Sequence, residues 1–133
     1  MSEENVEAVR GGFEAYSRRD VDGFLSYLDP EFELHSAIVG GAVGNVYRGH
    51  DGVRTWLADS DESFDDLRIE PTEFRDLGDR VLVFGRIRAR GRESGLEIDS
   101  PTGWVTTVRN GKLVKAEGFL SYAAALEAAG LRE

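Results

Sequence analysis

The stretch EIDSPTGWVTTVRNGKLVKAEGFL, residues 97–120, decides the fold, because it reads as two strands joined by a tight turn. Asn110 and Gly111 supply the two positive-φ positions of a type I′ turn, and apolar-rich runs flank them on both sides. The hairpin predicted there has strands over 97–109 and 112–120. Upstream, DRVLVFGRIRARG at 79–91 reads as a further strand, joined through the weaker turn Leu77-Gly78-Asp79 to one over 67–76. In that first strand Pro71 leaves Leu67 and Ile69 on one face and Phe74 on the other, as in an edge strand with a bulge.

Alternation assigns the two faces of this antiparallel sheet. Val81, Val83, Gly85, Ile87 and Ala89 share a face, and the opposite one carries Arg86, Arg88 and Arg90, which cannot be core. The same rule directs Thr102, Trp104, Thr106 and Val108 inward, with Val114, Ala116, Gly118 and Leu120 of the last strand, and leaves Lys115 and Glu117 outside. Gly85, Ala89, Ala116 and Gly118 are small, so either helices approach the sheet closely or a cavity remains. On the outer face Leu82, Phe84, Val105, Leu113 and Phe119 would expose a larger apolar patch than a monomer usually tolerates. A homodimer through the outer sheet face is the expectation.

Before the sheet, Val6, Val9, Phe13 and Tyr16 recur at three and four residues and predict an amphipathic helix over 3–18, with Ser2 as N-cap and Gly11 and Gly12 as costly interruptions. Asp20 caps a second helix carrying Phe24, Leu25, Tyr27 and Leu28, stopped at Asp29-Pro30. A strand over 31–36 follows, then a glycine-rich surface loop over 36–49 and a third helix over 51–60 that buries Val53, Trp56 and Leu57. The last helix runs from Ser121 to Ala129, with Gly130 closing it. Helices segregated from an antiparallel sheet make the fold class α+β.

The 133 residues suit one domain, 1–133, with 41% hydrophobic and 31% charged residues and no apolar run of membrane-spanning length. No membrane partner is expected. A net charge of −9 has the wrong sign for nucleic acid. The chain has no cysteine, which removes disulfides, thiolate metal sites and cysteine nucleophiles, and MSEENVEAVR lacks the form of a secretory signal, so a cytoplasmic protein is expected. Two histidines, His35 and His50, 15 residues apart, make no recognisable metal site, and no cofactor is expected.

Four segments carry a resemblance: FEAYSRRDVDGFLSYLDPEFELH, VYRGHDGVRTWL, DRVLVFGRIRARG and RNGKLVKAEGFLSYAAALEAAGL. Their order and spacing resemble the nuclear transport factor 2-like superfamily, more narrowly its SnoaL-like domains, from about Asn5 to Gly130. The resemblance implies a cone of three to four helices against a strongly bent antiparallel sheet, an apolar pocket inside, and frequent dimerisation through the sheet. It implies proton-transfer chemistry by a buried carboxylate in members that catalyse, but the matching positions hold other residues. Ser36 stands where ketosteroid isomerases carry the base, Gly12 at their tyrosine and Trp104 at their protonated aspartate. Ser121 stands at the base of SnoaL-like cyclases and reads as a helix N-cap.

Two classes of function follow. As a binding module the protein would hold a small apolar or aromatic molecule among Tyr16, Ser36, Tyr47 and Trp56 from the helices and loop, and Thr102, Trp104, Thr106 and Gly118 from the sheet. As an isomerase, cyclase or epoxide hydrolase it would need a base, for which His35 at the strand end, Glu33 and Glu117 are the candidates. Missing acids favour binding.

Overall fold

The computed structural model describes residues 2–38 and 46–131, in the order α1 (Ser2–Ser17), α2 (Val21–Ser26), β1 (Leu28–His35), β2 (Val46–Arg48), α3 (Gly49–Ser63), β3 (Phe64–Asp76), β4 (Arg80–Gly91), β5 (Glu97–Arg109), β6 (Lys112–Phe119) and α4 (Tyr122–Ala128). The strands form one sheet of six in the order β2-β1-β6-β5-β4-β3. All neighbours are antiparallel except β1 and β6, so the sheet is mixed, and the expectation of a purely antiparallel one is corrected at that pair. Most of the sequence expected as loop over 36–49 lies outside the described residues, but Val46–Arg48 pairs with β1 as a short strand.

Local chemistry explains most boundaries. Asn110 and Gly111 take φ of 53° and 76°, as the type I′ turn requires, and β5 and β6 pair on either side. The Asp20 side chain accepts from Gly23 N–H at 2.9 Å and starts α2, while Ser121 accepts from Ala124 N–H at 3.2 Å and starts α4. Gly130 at φ 78° follows α4, and Leu131 N–H returns to the Leu126 carbonyl. Helix α2 ends before the expected stop: Tyr27 is its cap, and Leu28, Asp29 and Pro30 already belong to β1. Gly11 and Gly12 lie inside α1 because Tyr27 packs there, its ring 2.5 Å from where a Gly11 β-carbon would stand.

Face assignments in β4 hold. Val81, Val83 and Ile87 are buried in the main core with Val9, Phe32 and Val53, between the sheet and helices α1 to α3. Arg86, Arg88 and Arg90 stay outside and pair with Asp99, Glu70 and Glu97 at 2.6, 3.1 and 3.3 Å. Strand β3 is an edge strand, and its register slips between Pro71 and Glu73, as Pro71 predicts. Gly85 is small for a reason the sequence hid: a β-carbon there would lie 2.2 Å from the Glu70 carbonyl oxygen in that bulged strand.

Three further expectations are corrected, the simplest being Leu120, which alternation directs inward but which is exposed just past the end of β6. In β6, Val108 pairs with Leu113 and Thr107 with Lys115, so Val114 is an extra residue and parity reverses across it. Leu113, not Val114, therefore joins the main core, followed by Ala116 and Gly118 on the cavity wall. The outer apolar patch is also not exposed. Leu82, Phe84 and Val105 are buried under Ala125 and Leu126 of α4 and its C-cap Ala129, with Phe119 half-buried at the margin. The chain covers its own patch, which removes the apolar reason for expecting a dimer.

Candidate functional site

Between helices α1, α2 and α3 and the face of the sheet formed by β1, β6, β5, β4 and β3 lies a cavity of about 70 Å³. By the same measure one ordered water needs only ~10–15 Å³, so the space is larger than a water site. Ala116 and Gly118 present almost no side chain on the β6 wall, and two of the lining rings, Phe13 and Trp104, meet edge to face. Phe13 meets Trp104 at 5.3 Å between ring centroids and 71°, and Phe74 at 6.0 Å and 81°.

Of the ligand candidates, six border the cavity: Tyr16, Ser36, Trp56, Trp104, Thr106 and Gly118. Trp104 is buried mid-strand. Trp56 is buried on α3 and donates its indole N–H to Ser36 Oγ at 3.1 Å, which holds the ring against the end of β1. Thr106 donates its hydroxyl to the Val81 carbonyl at 2.8 Å, leaving its methyl and oxygen for the cavity. At Gly118 a β-carbon would stand 3.1 Å from Ala37 Cβ and 3.4 Å from Trp104 Cδ1, so glycine lets these groups meet.

Tyr47 and Thr102 are buried but lie off the cavity wall. Tyr47 donates to Asp59 Oδ2 at 2.9 Å, and burial together with that bond pushes its pKa up to about 12. Thr102 turns its hydroxyl to the Ser100 carbonyl at 3.2 Å.

The candidate bases fall differently. His35 borders the cavity, and its Nε2 donates to Glu33 Oε1 at 3.0 Å. Glu33 is clamped on its other oxygen by Arg48 at 2.6 Å. The imidazole hydrogen bond, with Arg48 beside it, holds the Glu33 carboxyl below the usual range. Glu117 stands in register with His35 on the neighbouring strand, and its carboxylate lies 3.8 Å from Lys115 Nζ. Neither glutamate is on the cavity wall. His50 donates to the Leu28 carbonyl at 2.9 Å, a structural tie between α3 and β1.

Among the described residues, the cavity wall holds no Asp, Glu, Lys or Arg side chain, and no three His, Asp or Glu side chains gather as a metal site would require. Such a wall offers shape, ring faces and neutral hydrogen-bonding groups. Several wall residues were not singled out as ligand contacts. Phe13 sat in the α1 stripe and Leu34 in the alternation of β1; both were readable as core but not as cavity wall. Leu113 was hidden by the bulge at Val114, and Ile38 lies past the end of β1, where no periodicity reports direction. Among the described residues no helix is long and apolar enough to cross a membrane.

The family model of the SnoaL-like domain matches residues 9–116. An NTF2-like protein of unknown function from Burkholderia pseudomallei superposes with a TM-score of 0.78 at 27% identity, over 93% of this chain and 95% of that one. An NTF2-like protein from Burkholderia xenovorans gives 0.76 at 26%, over 96% and 97%. TerC, co-crystallised with polyporic acid, gives 0.77 at 28%, over 93% and 96%. No curated protein matches the chain.

Proposed function

This chain belongs to the SnoaL-like domain family, and from that premise we propose that its cavity binds a small, flat, largely apolar molecule. One observation carries the reading: a cavity of about 70 Å³ whose wall is aromatic and aliphatic, with its few polar groups neutral. Flatness follows from the rings of Phe13, Trp104, Tyr16 and Trp56, which favour a planar guest in offset or edge contact. TerC, similar along nearly its whole length, was crystallised with polyporic acid, and this supports an aromatic guest here. Binding rather than turnover is favoured because a wall without a carboxylate lacks the ~10²–10⁴-fold that general acid–base catalysis contributes.

Tryptophan fluorescence tests the reading. A panel of planar aromatics, steroids and terpenoids is titrated into the protein, and saturable changes are expected for some planar members. No response from any of them, together with an unchanged thermal midpoint, would sink the proposal.

A second reading, acid–base chemistry in the same cavity, has one observation behind it. His35 borders the cavity with its Nε2 engaged by Glu33, an arrangement that orients the imidazole. Turnover of any panel member that disappears in His35→Ala, with binding of that member retained, would favour it.

A further inference from the structure

The polar groups around the cavity are already engaged or out of reach. Trp56 donates its N–H to the Ser36 hydroxyl at 3.1 Å, and the same oxygen accepts the Ile38 N–H at 3.4 Å. Thr106 gives its O–H to the Val81 carbonyl, and the lone pair it keeps on the cavity side belongs to a side chain with no exposed surface. The Tyr16 hydroxyl is equally inaccessible, and the charged groups beside it, Arg19 and Asp61, line a separate crevice with Val21 and Leu57. At the margin the His35 imidazole is held by Glu33, on the side of β1 opposite Leu34. Backbone groups on the sheet side are used in the ladder, where Ala116 is in register with Leu34 and Thr106, and Gly118 with Trp104.

Water and guests meet the same wall. A buried water is held by ~2–4 polar partners, and an apolar cavity that lacks them stays dry. Among the described residues, the surface open to an occupant is almost all carbon, from side chains such as Phe13, Trp104, Ile87, Leu113 and Ala116. A space of about 70 Å³ has room for several waters, so it is the lack of partners, not of volume, that keeps water out. A hydroxyl, carbonyl or amine carried inside would give up its own water and find nothing in exchange. A methyl group or a ring edge loses nothing there.

We propose that the cavity is dry and takes a hydrocarbon of single-ring size, bare or alkyl-substituted, and that it rejects guests which bring a polar atom inside. The inference rests on the reading of the cavity as a binding site, and narrows the guest from a largely apolar molecule to one without oxygen or nitrogen in its buried part. Because little water is displaced, the guest gains contact with the wall rather than releasing ordered solvent. Binding is then driven by enthalpy, as when an apolar molecule enters a preformed and poorly hydrated pocket.

The test compares toluene with phenol, in which a hydroxyl replaces the methyl on the same ring, by calorimetry near room temperature on the intact protein. Wild type should bind toluene ~10-fold or more tightly than phenol, with a favourable enthalpy, and toluene should raise the thermal midpoint. Ala116→Ser puts one hydroxyl on the bare wall and should narrow the gap by strengthening phenol. Phenol bound as tightly as toluene by wild type overturns the inference, whether or not the variant folds. So does toluene binding without a favourable enthalpy, or a gap that Ala116→Ser leaves unchanged. If neither binds while a larger or oxygenated planar molecule does, the dry hydrocarbon site is wrong and the cavity reading stands. No binding by any of them removes both.

Discussion

Ala125 rests on Gly103 so closely that a β-carbon on the glycine would lie 2.5 Å from the alanine Cβ. Helix α4 thus sits on the bare backbone of β5, and this contact keeps Leu82, Phe84 and Val105 dry. Gly103→Val should lift the helix, lose about 1–3 kcal/mol to overpacking, and expose the patch below. Chemical denaturation, dye binding and sedimentation check this together: stability should fall while dye binding and the sedimentation coefficient rise. Unchanged values in all three would mean that α4 is not held by this contact.

That contact also marks a limit of reading by alternation. The outward parity of Leu82, Phe84 and Val105 was legible, because Arg86, Arg88 and Arg90 forced the opposite face inward. What covers an outward apolar face was not, since a short helix after the last strand can fold back onto either side and its own pattern does not say which. Pro71 and Asn110-Gly111 were legible because each fixes backbone chemistry at one residue. Val114 was not: a bulge leaves no residue signature when the surrounding side chains are all apolar or long. The cavity stood between these cases. Ala116 and Gly118 announced missing volume, but whether a helix or a void answered it depended on how Phe13 and Trp104 turned their rings.

Trp56 and Ser36 give a second prediction. The buried indole N–H has the Ser36 hydroxyl as its acceptor, so Ser36→Ala leaves a donor unpaired inside the protein at a cost of about 1–3 kcal/mol. Ser36→Thr keeps an oxygen at the same place and should recover most of the loss. A urea melt of both variants decides it. An alanine variant as stable as wild type would show that the bond contributes nothing net.

Tyr47 predicts a pH dependence. Its folded pKa is raised to about 12, first by burial and then by the Asp59 carboxylate that accepts its proton, whereas an exposed phenol titrates near 10. The unfolded chain loses this proton first as pH rises, so the contribution to stability is intact below pH ~10 and is lost between there and about 12. Tyr47→Phe should flatten that part of the stability profile relative to wild type. If both proteins lose stability in parallel across the window, Tyr47 is not the group responsible.

Trp104 is the residue where packing and binding separate most cleanly. It is 6% exposed, it meets Phe13 edge to face, and its other side borders the cavity. Truncating a large aromatic in a closed core costs about 3–5 kcal/mol, because its neighbours relax only partly around the hole. Here part of the ring surface already faces open space, so Trp104→Ala should sit at the low end, about 3 kcal/mol. The enlarged cavity should then accept a planar guest that wild type excludes for size, and binding should return some of the lost stability. A guest that stabilises the variant and leaves wild type untouched would establish Trp104 as the limit on ligand size. A loss near 5 kcal/mol with no rescue by any planar guest would instead make Trp104 ordinary close-packed core, and the space beside it too small to matter.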